Sequence, residues 1–154
     1  MSNATGTQTL DVMLSTTAAY ALQAMIHLAA REGDGPVRVE AMADELGLPR
    51  NYLSKVLHTL VKEGLLRSAR GPNGGFELAA PSSSVTLYDV VRPFDTIETR
   101  RTCLLSGGEC SDERPCVVHD RWSEVAADVS AFFRQTALGE VVGDPERMNA
   151  VLGP

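Results

Sequence analysis

Outside residues 103–116 the chain has no cysteine. Its three thiols cannot close a complete disulfide framework, and their clustering points to metal, cluster or redox chemistry in a reducing compartment. Long apolar runs are missing too. Nowhere do eighteen apolar residues follow one another, and no signal-peptide layout opens the chain, so a soluble cytoplasmic protein is expected. Positive charge is scarce: 14 Lys and Arg face 20 Asp and Glu, a net charge of −6. Taken alone, that balance argues against a nucleic-acid partner.

The distribution of charge argues otherwise. Residues 49–75 hold Arg50, Lys55, Lys62, Arg67 and Arg70 against Glu63, a local +4 that leaves −10 for the rest. Local potential decides whether phosphate is attracted, so this island reads as a docking face. At 154 residues, with 44% hydrophobic and 22% charged content, the chain can build one compact domain with its own core. The polar, aperiodic residues 1–12 read as a disordered tail.

Apolar residues at helical spacing place a first helix between Leu14 and Arg31, ended by GDGP at 33–36. VEAMADELGL forms a short second helix stopped by Gly47. A third begins near Pro49, in its first turn, and runs to Gly64. Leu53, Val56, Leu57, Leu60 and Val61 give this third helix a buried face. Asn51, Ser54, Lys55, His58 and Lys62 form the opposite polar, basic stripe. Two short helices about a glycine turn, the second with a basic stripe, describe a helix-turn-helix. The segment LLRSARGPNGGFELAAP then gives two extended stretches about a Gly/Pro/Asn turn, a β-hairpin. Together these make a winged helix. His27, inside the first helix, reads as packed rather than as a ligand.

After Pro81, VTLYDVVRPFD suggests a short helix. From about Val117 to Leu138, Trp122, Val125, Val129, Phe132 and Phe133 form an apolar seam. A complete winged helix leaves that seam uncovered, so a second copy of the chain is its expected partner, and folding back on the same chain is the alternative.

The cysteines are Cys103, Cys110 and Cys116, with six and then five residues between them, and His119 follows after two more. Three thiolates and an imidazole make a four-ligand set. The wide gaps suit an iron–sulfur cluster, which accepts irregular spacing, better than zinc, whose ligands usually pair two to four residues apart. Zinc and unligated thiols stay open as alternatives.

Over about Met13 to Leu138 the sequence resembles a family of winged-helix transcriptional regulators, the one that contains the iron–sulfur regulator IscR and the nitric-oxide sensor NsrR. The likeness lies in TTAAYALQAMIHLA, LPRNYLSKVLHTLVKEGLL, the wing RGPNGGFELA, and the cysteine loop running through CVVHDRW. The resemblance implies a homodimer built on crossed C-terminal helices, a pseudo-palindromic double-stranded operator, and a [2Fe–2S] or [4Fe–4S] cluster on each subunit whose state alters DNA affinity. It assigns Cys103, Cys110 and Cys116 as ligands and His119 as the fourth. In another branch an acidic residue of the partner's first helix takes that fourth place; here the position is Ala19, which has no donor atom. The first cysteine gap is six residues where the family commonly has five. Ser54 stands where one member carries a glutamate that screens DNA sites, so that member's operator choice is not carried over.

The expected architecture is therefore mainly α with a small β-hairpin wing: a disordered tail at 1–12, a winged helix-turn-helix at 13–82, a connecting helix at 83–100, a cluster-binding loop at 101–119, a dimerisation helix at 117–138 and a C-terminal tail at 139–154. Asn51, Ser54 and Lys55 are expected at base edges, with Arg50, His58 and Lys62 near phosphates or the groove wall. Arg70 and Asn73 would reach the minor groove through the wing. No substrate pocket or catalytic base is legible, so an enzyme is not expected. The expected function is a homodimeric DNA-binding transcriptional regulator that senses redox state, iron–sulfur status or nitric oxide. The alternative is a cluster-free or zinc-binding regulator or protein-interaction module.

Overall fold

The structure is a computed structural model that describes residues 14–97, 103, 105, 108 and 111–152. The expected tail at 1–12 and the last three residues of the 83–100 segment lie outside the described residues. Helix α1 (Thr16–Ala29) starts where the Ser15 hydroxyl accepts from the Ala18 amide at 3.2 Å, satisfying one of the first-turn N–H groups that a helix leaves unpaired. Helix α2 (Val39–Leu46) stops at Gly47, whose φ of +65° is a left-handed conformation available to glycine at no cost. The Leu48 amide then donates to the Ala43 carbonyl at 2.9 Å and closes the turn. Helix α3 (Arg50–Lys62) follows, with Pro49 at its cap, one residue before the first-turn place expected for it. Leu53, Val56, Leu57 and Leu60 are buried as their spacing predicts, and Val61 packs partly against the same core.

The hairpin follows at once. Strand β1 (Leu66–Ala69) pairs antiparallel with β2 (Gly75–Leu78), in a register that sets Leu66 opposite Leu78 and Arg67 opposite Glu77. Val37, from the loop before α2, exchanges both backbone hydrogen bonds with Phe76, at 2.9 and 2.8 Å. That bridge requires Gly75: its φ is +149°, and a Cβ there would collide with the Val37 carbonyl. The wing is thereby anchored to the helix-turn-helix at its second strand.

Helix α4 (Leu87–Val91) opens with a reciprocal cap, the Thr86 hydroxyl accepting from the Asp89 amide and the Asp89 carboxylate accepting from the Thr86 amide at 3.0 Å. Among the described residues, only these five of the expected 83–100 connecting helix are α-helical: Pro93 has no N–H to continue the hydrogen-bond ladder, and its ring crowds the carbonyl four residues back. Helix α5 spans His119–Gln135, a little shorter than the expected 117–138. Its end turns into an extended bridge: the Leu87 amide donates to the Thr136 carbonyl at 2.9 Å and the Leu138 amide to the Val85 carbonyl at 2.8 Å.

Residues 139–154, read from the sequence as a tail, instead carry most of α6 (Leu138–Val142) and all of α7 (Pro145–Leu152). Leu138 is fully buried, and α6 packs on α1. A five-residue helix is too short for its periodicity to stand out. Ala18, Ala21, Ala24 and Met25 are fully buried along α1, and their small bulk lets α3, α4 and α6 all approach it. The architecture is a mainly helical winged helix-turn-helix with a two-stranded wing and a long helix after it. No helix among the described residues is long and apolar enough to cross a membrane.

Candidate functional site

Helix α3 turns Leu53, Val56, Leu57 and Leu60 inward, which leaves its opposite face to solvent. Asn51, Lys55, His58 and Lys62 are exposed along one stripe, and Ser54 is half-buried beside them. Arg70 and Asn73 are exposed at the wing tip. The structure thus groups these residues on the surface formed by α3 and the hairpin.

The charges on that surface are not all free. Arg50 is ion-paired with Glu40 of α2, and Arg67 lies 3.7 Å from Glu77 across the hairpin. Among the described residues, Lys55, Lys62 and Arg70 have no ion-pair partner, so they carry the available positive potential. Exposed pairs such as Arg50–Glu40 contribute only about 0–1 kcal/mol, which a phosphate could displace. His58 is exposed, and its ring is already engaged within the chain. Its Nδ1 donates to the Ser54 carbonyl at 2.7 Å, and its ring meets Phe76 of β2 edge-on.

The second cluster sits at the foot of α5. Cys103 is buried, and its sulfur lies 3.7 Å from that of half-buried Cys116. Its amide donates to the Gly108 carbonyl at 2.6 Å. His119 is buried, three residues after Cys116, and its amide donates to the Cys116 carbonyl at 3.1 Å. Its Nε2 is 3.0 Å from Oδ1 of Asp112, a carboxylate exposed to solvent. Cys110 lies outside the described residues. Among the described residues, no three His, Cys, Asp or Glu side chains converge on one point.

The Rrf2 family, described as iron-dependent transcriptional regulators, matches residues 14–144. The chain belongs to the Rrf2 family. An Aquifex aeolicus (strain VF5) protein provisionally named an HTH-type transcriptional regulator is 35% identical over 138 residues, covering 88% of this chain and 95% of that protein. The HTH-type transcriptional regulator IscR of Klebsiella pneumoniae (strain 342) is 30% identical, covering 86% of this chain and 81% of its own. Among solved structures, CymR, the global cysteine regulator of B. subtilis, superposes with a TM-score of 0.73 at 25% identity, covering 84% and 95% of the two chains.

In this Rrf2 chain the apolar seam expected on α5 divides. Phe133 is buried in the chain's own core, and Val129 packs partly against that core. Phe132 and Val125 are exposed, at 56% and 49%, and Trp122 is half-buried. Phe133 therefore leaves the set of residues that could meet a second copy, because a seam one residue wider than a helical stripe must turn its edge inward.

Three functional candidates escaped the sequence reading. Arg38, just before α2, donates to the Pro72 carbonyl at 2.6 Å and so braces the wing tip. Glu40 neutralises Arg50, and Asp112 faces His119. Arg38 and Glu40 precede the basic island in sequence and join it only through the fold. An acidic residue inside a cysteine loop was the one local signal for Asp112.

Proposed function

We propose that this Rrf2 regulator is a homodimer whose grip on DNA is set by an iron–sulfur centre held by Cys103, Cys110, Cys116 and His119. The observation that carries this reading is the approach of Cys103 and Cys116 to 3.7 Å, thirteen residues apart in sequence, at the N-terminus of the long helix. Thiolates on one tetrahedral metal at about 2.3 Å lie about 3.8 Å apart, so the pair fits two ligands of a single metal atom. A structural zinc would accept the same pair, and metal analysis separates the two. When bound, the centre would supply a charge and a redox- or nitric-oxide-sensitive group; the chain's own residues do the rest.

The sulfurs and His119 sit where the loop meets α5, so occupancy of the site ties residues 103–119 to the first turn of that helix. Val125 and Phe132, exposed on α5, are the apolar positions a second copy would cover, with Trp122 and Val129 at their flank. That tie would then bias the tilt of two DNA-reading heads. Asn51, Ser54 and Lys55 would meet base edges; Lys62 and the wing residues Arg70 and Asn73 would meet the backbone or minor groove, and Arg50 would join them by leaving Glu40. Two-fold symmetry puts the half-sites about 34 Å apart, or a multiple of it. A coupling of about 1–3 kcal/mol gives roughly a five- to hundred-fold change in occupancy.

The deciding experiment is anaerobic reconstitution with iron and sulfide, followed by absorption spectroscopy, metal analysis and operator titration of the loaded and stripped protein. Thiolate-to-iron charge-transfer bands, together with a changed operator affinity, are expected. A colourless protein that carries zinc, or identical affinity in both states, would overturn the reading.

A further inference from the structure

His119 has two ring nitrogens, and the structure occupies one of them. Nε2 lies 3.0 Å from Oδ1 of Asp112, while Nδ1 makes no hydrogen bond among the described residues. A carboxylate can only accept, so a neutral imidazole in this pair must carry its proton on Nε2. Its lone pair is then on Nδ1, the only nitrogen able to bind a metal without breaking the contact. Asp112 reaches His119 from the loop: its side chain is 77% exposed, and it lies seven residues earlier in the chain.

We propose that Asp112 is the positioning residue of His119, fixing its tautomer and ring angle so that Nδ1 is the nitrogen offered to the metal. Metal-bound histidines commonly donate their other N–H to a carboxylate, which orients the ring and raises its basicity. The pair also accounts for how the ring of a buried His119 is held in one orientation. The first turn of α5 fixes its backbone, through the amide hydrogen bond to Cys116. Asp112 fixes the rotation of the ring. This inference rests on the cluster reading for its purpose, but the tautomer belongs to the metal-free chain.

The chain has only three histidines, so their side-chain nitrogens can be assigned by substitution and followed by long-range proton–nitrogen NMR. In the metal-free full-length protein, His119 is expected in the Nε2–H form, and Asp112→Ala is expected to shift it toward a mixture of tautomers. Reconstituted Asp112→Ala should lose iron to a chelator about 10–100-fold faster than the unsubstituted protein, and Asp112→Asn, whose amide oxygen still accepts, should fall between them. A His119 protonated on Nδ1 in the metal-free protein overturns the proposal, as does iron held by Asp112→Ala as firmly as by the unsubstituted chain. If the unsubstituted chain takes up no iron at all, the cluster reading falls and this one with it. If it loads normally and only the Asp112 variants behave as the parent does, this inference alone fails.

Discussion

His58 on the recognition helix and Phe76 on the second wing strand meet edge-on, their ring centroids 5.5 Å apart and their planes at 80°. The sequence suggested His58 as a contact to DNA. In the fold the ring also stands as a strut against the wing: it stays exposed, meets Phe76, and donates from Nδ1 to the Ser54 carbonyl. Such an aromatic contact contributes about 0.5–1.5 kcal/mol beyond the area it covers. His58→Ala should therefore lower the melting temperature by a few degrees and weaken operator binding. His58→Phe restores the ring contact and should recover most of both. If the Phe variant binds DNA as poorly as the Ala variant, the imidazole itself touches DNA and the strut assignment is wrong.

Three arginines near the wing should respond differently to salt. Arg70 has no ion-pair partner among the described residues, so Arg70→Ala should weaken binding and reduce the slope of log K against log salt by about 0.9, the release of roughly one counterion. Arg67 faces Glu77, and its removal should change the slope little. Arg38 holds the wing-tip carbonyl of Pro72. Its loss should lower affinity at every salt concentration without altering the slope, because it acts on the wing and not on phosphate. Titrations at several salt concentrations check all three, and an unchanged Arg70→Ala slope would remove the wing from the phosphate contacts.

The helix-turn-helix and wing were legible because each obeys a local rule: a 3.6-residue apolar period in α3, glycine at the left-handed position 47, and turn residues between two short apolar stretches. What the sequence could not display were pairings between distant segments. Nothing near Val37 announces that it will bridge to Phe76, and nothing near Arg38 announces the wing tip. The α5 seam shows the limit from the other side. Periodicity gathers Phe132 and Phe133 into one apolar stripe, yet adjacent helical residues lie about 100° apart, so one can turn into the core while the other stays exposed. Leu138 was hidden for a further reason, since the two-residue extended break before it separates α6 from the helix whose pattern was being followed.

His27 is buried on α1, with Nδ1 3.2 Å from the Arg31 guanidinium and Nε2 unpartnered, 3.6 Å from Glu45 of α2. Burial, reinforced by the Arg31 charge and opposed by Glu45, pushes its pKa below the ordinary 6.5. The unfolded chain therefore binds a proton that the folded chain refuses. Stability from this site is complete above about pH 6.5 and is lost as the pH falls below that value toward the lower folded pKa, with a slope of at most about 1.4 kcal/mol per pH unit. Chemical denaturation at pH 7 and 5 should show a smaller difference for His27→Gln than for the parent chain. An NMR titration midpoint for His27 at or above 6.5 would refute the assignment.

The neighbours Phe132 and Phe133 offer the sharpest separation of folding from assembly. Phe133 is 7% exposed and lies in the chain's own core, whereas Phe132 is 56% exposed, its ring meeting that of Phe133 at 5.5 Å. Truncating a buried phenylalanine costs about 3–5 kcal/mol, so Phe133→Ala should lower thermal stability steeply. Phe132→Asp removes only the T-shaped ring contact with Phe133, about 0.5–1.5 kcal/mol, but it would place a charge in the middle of an apolar contact between two copies. The expected result is a folded subunit with an unchanged helical circular-dichroism spectrum, a mass near 16.5 kDa by light scattering, and operator affinity reduced at least tenfold through loss of the second head. A Phe132→Asp protein that still sediments as a dimer would show that the exposed stripe of α5 is not where the copies meet.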